Sequence, residues 1–295
     1  MKKSFTLIEV LVVVLLIGIV SSFVYLSTES FRQDSNQAKV LMFSEKIKSS
    51  LAQNIAGEWN LDEGTGSSVY DFSGNGNTGT ITGATWETNR ANCVLGKCLS
   101  FSGSNQYIEK TSPSDLPSGQ SARTISVWIY PNNVNPGGVL VALNNSAGSS
   151  QSFIINTAYI SSNTYLFTDG INSNNNITIS GTEIAQTGKW NHVAFVFDGS
   201  TGWKYYLNGE NKKSGSFSTT INTVVTSFSI GRRGDGANTG YYWPGKIDEV
   251  VVFDGATTSI FIKNYYVSSL NKLFIDGQIA KEEYLNRIGL SGVGY

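Results

Sequence analysis

A single histidine, two cysteines and a charged share of 15% leave these 295 residues poor in the side chains on which most enzymatic chemistry runs. With His192 alone and no Gly-x-Ser-x-Gly turn, no nucleophile, histidine and carboxylate can be assembled into a triad. His192 stands in a strand-like run between Trp190 and Val193, where a hydrogen-bonded histidine of the core or of a sheet edge is expected. Phosphate-binding loops and dinucleotide fingerprints are missing as well. Paired carboxylates can hydrolyse glycosides, and Asp169, Asp235, Asp248 and Glu249 are the residues to consider, but sequence spacing sets no two of them at a catalytic separation. Nor is there an excess of one charge: 21 basic residues against 22 acidic ones provide no field to gather nucleic acid or anionic lipid. Cys93 and Cys98 lack the second cysteine pair or histidine cluster that a zinc site needs. So close together, they read as a small local disulfide in an exported domain, and as free thiols or a weak half-site for metal in a reduced one. The disulfide is the preferred reading, and bonded cysteines cannot serve as nucleophiles.

Charge is absent altogether from residues 10–28. As a helix that interval is about 28 Å long, close to the thickness of a bilayer's hydrocarbon core. Lys2 and Lys3 in front, with Glu29 and Asp34 behind, place the N-terminus in the cytoplasm and send the remainder outward. A secretory signal cut near Ser21-Ser22, or a plain anchor, accounts for the apolar stretch but not for Glu9. A carboxylate at the mouth of an apolar helix is costly in lipid unless something pairs with it. The run Phe5-Thr6-Leu7-Ile8-Glu9 behind a short basic leader resembles the type IV pilin and pseudopilin signature. That resemblance implies cleavage by prepilin peptidase between Ser4, where the family usually carries Gly, and Phe5. Phe5 then becomes the methylated new N-terminus, and Glu9 neutralises the α-amino group of a neighbouring subunit in a filament.

Beyond the apolar stretch, Val40, Phe43, Ile47, Leu51 and Ile55 recur at three- and four-residue steps among Lys39, Glu45, Lys46 and Lys48, the pattern of an amphipathic helix. Since no proline interrupts residues 5–55, one helix of about 75 Å is expected. From Gly57 to Gly255 the pattern changes to short alternating runs broken by Gly, Asn and Ser. Residues 124–130, 193–197, 204–207 and 247–253 are examples, and Asp198-Gly199 and Asn208-Gly209 mark turns. Strands at such intervals predict an antiparallel two-sheet sandwich.

Several segments in order, residues 58–66, 71–77, 99–103, 190–194, 206–209 and 245–250, are similar to the laminin-G-like, concanavalin-A-like jelly-roll family. In the run Asp71 to Asn77, oxygen-bearing side chains alternate around Gly74 and Gly76, as a hard cation requires. A glycine-bent turn with Asn in left-handed conformations suits the same residues. The family resemblance implies a structural Ca²⁺ held by Asp71, Asn75 and Asn77 with help from Asp248, and a small disulfide at Cys93 and Cys98. Trp203, Tyr205 and Leu207 share a face and are expected in the core. Tyr241-Tyr242-Trp243 cannot all point inward, so at least one is expected at the surface, available to stack on a sugar or a neighbouring subunit. Asn144, Asn145 and residues 172–176 read as solvated loop tips, where lectin-like specificity is commonly built.

From Thr257 helical spacing returns at Ile260, Ile262, Tyr266, Leu270, Leu273 and Phe274. It breaks at Gly277 and resumes over 280–288 with Glu282 and Glu283 near its start. This hairpin is expected to pack on the N-terminal helix or on the sandwich edge. The whole reads as an α+β protein: a leader (1–4), a pilin-like helix (5–56, membrane-spanning at 10–28), a laminin-G-like sandwich (57–255) and a helical tail (256–295). The expected role is a pilin or minor pilin binding glycans or surface proteins, without catalysis or nucleic acid. Its precursor would sit in the bacterial inner membrane and its mature form in an extracellular pilus or at the cell surface. A pseudopilin of a type II-like secretion system and a membrane-tethered glycosidase are the alternatives.

Overall fold

The computed structural model describes residues 54–132, 138–145, 151–156, 158–160, 163–167, 176–179, 183, 185–235 and 238–289. Ser4, Phe5, Glu9, the apolar segment 10–28 and the expected helix as far as residue 53 lie outside the described residues, as do Asp169 and residues 172–175. Among the described residues no helix is long and apolar enough to cross a membrane.

Two antiparallel sheets enclose the core. The larger, of eight strands, runs in spatial order Glu210–Ser216, Gly202–Leu207, Asn191–Phe197, Arg123–Pro131, Pro244–Asp254, Cys98–Ser102 and Thr85–Glu87, with Ile55–Trp59 also paired to Pro244–Asp254. The smaller, of six, runs Ser68–Val69, Gly79–Thr82, Tyr107–Thr111, Ser227–Ile230, Val139–Asn144 and Phe153–Asn156. Every second side chain of the large sheet points at the small one: Ile125, Val127 and Ile129 on one central strand, Val193, Phe195 and Phe197 on its neighbour. Facing them are Val141, Leu143, Phe153, Phe228 and Ile230. Trp59 stacks on Phe228 with centroids 4.2 Å apart, and Phe153 meets Phe195 at 5.8 Å. Tyr205 and Leu207 join this core as expected, with Trp203 partly buried beside them. The first strand begins at Ile55, the last residue of the predicted helical stripe. An apolar residue there serves a strand equally well, and Ile55 packs with Phe253 and Tyr265.

On the strand Pro244–Asp254 the pairing shifts register between Asp248 and Val251, and Glu249 inside this bulge has φ +48°. The extra residue resets the alternation. Ile247, Val250 and Val252 enter the inner core, while Val251 and Phe253 face the other way with Tyr265.

That other face is also apolar. Trp128, Ala194, Val196, Tyr206, Val251 and Phe253 lie on it, all buried. Their cover is the helix Ser259–Ile275. Its start is fixed by Thr258, whose Oγ1 accepts the Phe261 N–H at 3.2 Å. Its end is a left-handed Gly277 (φ +69°), where Gly277 N–H donates to Phe274 O and Gln278 N–H to Leu273 O. Ile262 packs with Ala194, Val196 and Tyr206; Tyr265 with Val251 and Phe253; Tyr266, Leu270 and Leu273 with Trp128 and the Cys93–Cys98 loop. A second helix, Lys281–Arg287, follows. The predicted hairpin is therefore present, but it covers the face of the large sheet rather than its edge. Continuous apolar runs such as residues 193–197 are the mark of a strand covered on both sides.

Leu270→Ala should destabilise the domain by about 2–4 kcal/mol in denaturant titration, since Leu270 is fully buried. Ile260→Ala, at a position 75% exposed on the same helix, should leave the midpoint unchanged.

Candidate functional site

The predicted site residues separate into three places. Asp248 lies beneath the loop that the Cys93–Cys98 disulfide closes, and the disulfide is formed. Asp248 Oδ2 accepts N–H bonds from Val94 (2.8 Å) and Leu95 (3.1 Å), and its Oδ1 accepts the Glu249 N–H at 3.0 Å. Burial first, then the neighbouring Glu249, pushes this carboxyl well above the usual range, against the pull of the two loop amides. Its work is to tie the disulfide loop to the bulged strand.

Asp71, Asn75 and Asn77 share one loop, as predicted. Asp71 Oδ1 accepts from the N–H groups of Glu58 (3.1 Å) and Ser73 (2.9 Å), and Oδ2 from that of Asn77 (2.8 Å). Asn75 turns its amide nitrogen onto Ala56 O at 3.0 Å. Asn77 exchanges two bonds with the Ser114 backbone, and its own carbonyl receives Trp59 Nε1–H at 2.9 Å. A Ca²⁺ ion needs several oxygens turned toward one point. Here the oxygens of Asp71 and Asn77 are turned onto backbone amides, and Asp248 is engaged with residues 94 and 95. This donor set does not fit a cation in the arrangement seen, and we derive no step through one.

The third place holds the aromatic triplet. Tyr241 is 56% exposed with φ +53°, Tyr242 is half-buried beside Tyr107 (6.4 Å), and Trp243 is fully buried in the inner core. Trp243, just before the strand Pro244–Asp254 and with its N–H donated to Gly231 O at 2.9 Å, is thus withdrawn into the core from any surface for ligand. Asn144 and Asn145, expected at a solvated tip, are buried instead. Asn144 Nδ2 donates to Ser229 Oγ at 2.8 Å, and its Oδ1 accepts the Gly234 N–H at 3.3 Å.

His192 is fully buried under the covering helix, sharing a 2.7 Å hydrogen bond with Ser126 Oγ and ringed by Trp128, Tyr265 and Tyr266 at 5.4–5.9 Å. Burial brings its pKa down to about 3. It is a neutral packing residue.

Among the described residues, concavities open to solvent. A groove of about 780 Å³ runs between the hairpin Gly202–Ser216 and residues 256–260, lined by Trp203, Lys204, Asp198 and Ile260. A smaller cleft of about 310 Å³ lies where the turn Arg90–Asn92 before the disulfide, the central strands and both C-terminal helices meet. Tyr130, Trp190, Lys189, Lys246 and Arg287 line it. None of these five was singled out as a ligand residue from the sequence, because they come from strands and helices far apart in the chain. Only the fold brings them together.

The family described as the concanavalin A-like lectin/glucanases superfamily matches residues 102–262, more than half of the chain. The chain belongs to that superfamily. The prokaryotic N-terminal methylation motif matches residues 1–25, the stretch that carries Ser4, Phe5 and Glu9. The protein is therefore a type IV pilin signature fused to a concanavalin A-like domain. No curated protein matches it. Among solved structures, it is similar to domain 4 of AbnA, a GH43 extracellular arabinanase from Geobacillus stearothermophilus, in complex with arabinotriose. That likeness has a TM-score of 0.56 at 22% identity, over 72% of this chain and 98% of that one. The binding domain of Paraclostridial Mosquitocidal Protein 1 aligns with a TM-score of 0.56 at 16% identity, over 75% of this chain and 53% of that one. A botulinum neurotoxin type C structure, whose title makes cell entry dependent on two ganglioside molecules, gives 0.55 at 17%, over 75% and 52%. This chain spans about half the length of the two toxin structures, and at these identities the likeness concerns the fold.

Unfolded, His192 takes up a proton near pH 6.5; folded, it does so only near 3. The unfolded chain therefore binds more protons between those values, and stability should fall as pH drops through that window, by up to about 1.4 kcal/mol per pH unit from this residue. Melting curves from pH 7 to 4 should show a shallower acid slope for His192→Gln than for the native chain. Parallel slopes would contradict the assignment.

Proposed function

We propose that this superfamily member is a filament subunit of the type IV pilin kind, which displays its sandwich outside the cell to bind carbohydrate or surface protein rather than to catalyse. The observation that carries the reading is the fusion itself: the methylation motif at residues 1–25 and the superfamily domain at 102–262 on one chain. Prepilin peptidase removes residues 1–4, and the amino group of Phe5 is methylated. Residues 10–28 hold the precursor in the inner membrane before assembly. Glu9 enters the apolar filament core because its carboxylate meets the amino group of Phe5 on a neighbouring copy, which offsets the desolvation of both charges. The binding role draws support from fold relatives whose titles name arabinotriose and gangliosides. It also draws support from the chemistry of the domain, whose histidine is buried and neutral and whose Asp248 is engaged with backbone amides.

Cells making the full chain should shed extracellular filaments whose subunits begin at methylated Phe5 by mass spectrometry. Glu9→Val should leave the sandwich folded but retained in the membrane. Normal filaments from that variant would overturn the reading, and a wild-type chain confined to the envelope would point instead to a pseudopilin.

A further inference from the structure

We infer that the cleft between the turn Arg90–Asn92 and the C-terminal helices binds an acidic sugar, a carbohydrate residue bearing one carboxylate. This deepens the binding role proposed above and rests on it. One wall of the cleft lies outside the superfamily match, while Tyr130, Lys189, Trp190 and Lys246 lie within it. The superfamily match ends at residue 262, whereas Leu273, Gln278, Ile279, Glu283 and Arg287 on the cleft wall all lie beyond it.

Its two aromatic rings form a corner. Tyr130 and Trp190 meet edge to face, with centroids 5.7 Å apart and planes at 68°. Trp190 is 9% exposed and packs in the cluster under the C-terminal helices, so it braces Tyr130. The half-buried Tyr130 ring is the apolar surface against which the C–H groups of a sugar can lie. Both rings are held in place. Arg287 Nη1 donates to Trp190 O at 3.1 Å, and Lys246 Nζ sits 5.5 Å from the centre of the Tyr130 ring. The polar rim is similarly fixed. Lys246 Nζ reaches both Glu87 Oε2 and Asn92 O at 3.3 Å, and the Asn92 loop is closed by the adjacent disulfide. Preorganisation of this kind lowers the ordering needed on binding.

Charge identifies the ligand class. Lys246 is paired with Glu87 at 3.3 Å, and Arg287 with Glu283 at 2.8 Å. Lys189 is exposed and forms no ion pair among the described residues. One positive charge is therefore left over at the mouth of the cleft, beside the guanidinium of Arg287, in a chain whose net charge is −1. A ligand with a single carboxylate completes it. The volume, about 310 Å³, is at the small end of the ~300–1,000 Å³ range of small-molecule sites and suits a terminal sugar better than a long polysaccharide stretch.

Calorimetric titration of the full chain in detergent micelles tests this, with 3′-sialyllactose and digalacturonic acid as acidic probes and lactose and arabinotriose as neutral ones. At least one acidic probe should bind about tenfold or more tightly than either neutral sugar, and the preference should shrink as salt is raised. Lys189→Glu should weaken acidic binding by about tenfold or more with an unchanged melting temperature, and Lys189→Arg should retain it. The assignment is overturned if neither acidic sugar outbinds its neutral counterparts, or if Lys189→Glu binds them as the native chain does. Neutral sugars that bind while neither acidic sugar binds more tightly would overturn the acidic-sugar assignment and leave the binding role standing. If no sugar binds, the cleft falls, while the fate of Glu9→Val tests the filament role separately.

Discussion

A sheet that is apolar on both faces has to be covered on both, and here the second cover comes from the chain's own C-terminus. The inner face of the eight-stranded sheet meets the smaller sheet in the usual way of a sandwich. The outer face, with Trp128, Val196, Tyr206 and Phe253 on it, would otherwise expose a large apolar patch. Burying Ile262, Tyr266, Leu270 and Leu273 against it removes several side chains from water at about 1.5–3 kcal/mol each, which is large beside the marginal stability of a domain.

That cover has consequences for the polar residues beneath it. His192 is kept neutral by it, and the disulfide loop is locked between Asp248 and the helix through Val94, with the preceding turn Arg90–Asn92 contributing Ala91 and Asn92 to the wall of a cleft. Elsewhere the same logic applies to Arg123, which is fully buried. It survives there by donating to the carbonyls of Pro117, Ser118, Gly119 and Ser121 and to Thr223 Oγ1, with its guanidinium 5.0 Å from the Phe153 ring. Burial still brings its pKa to about 10, so it remains charged at neutral pH. Arg123 and Asp248 are both held chiefly by backbone groups, carbonyls for the first and amides for the second.

The strand-like runs 124–130 and 193–197, the turn at Asn208-Gly209 and the Gly277 break made the sandwich and the helical hairpin legible in the sequence, because each is a local rule. What was not legible depended on tertiary phase. The bulge at Glu249 shifts the alternation of its strand by one residue, and no local signal marks it. Three consecutive aromatics require at least one at the surface without saying which, and Tyr241 is exposed while Trp243 is buried; Asn144, in an Asn pair that reads as a loop tip, ends a buried strand. Oxygen spacing in Asp71 to Asn77 fits a cation site and an amide-closed turn alike, and only the partners of those oxygens separate the two. The cleft residues Tyr130, Lys189, Trp190, Lys246 and Arg287 have no motif in common. Their convergence is a product of the fold and of a helix pair beyond the superfamily match.

The central claim is that the helix Ser259–Ile275 is an integral layer of the domain, and amide hydrogen exchange of the full chain addresses it most directly. If the helix covers the sheet, amides around Leu270 and those of residues 125–129 should exchange in the same slowest class, opening only with global unfolding. Exchange around Leu270 that runs orders of magnitude ahead of the sheet, at the rate of an exposed turn such as Gly199, would contradict it.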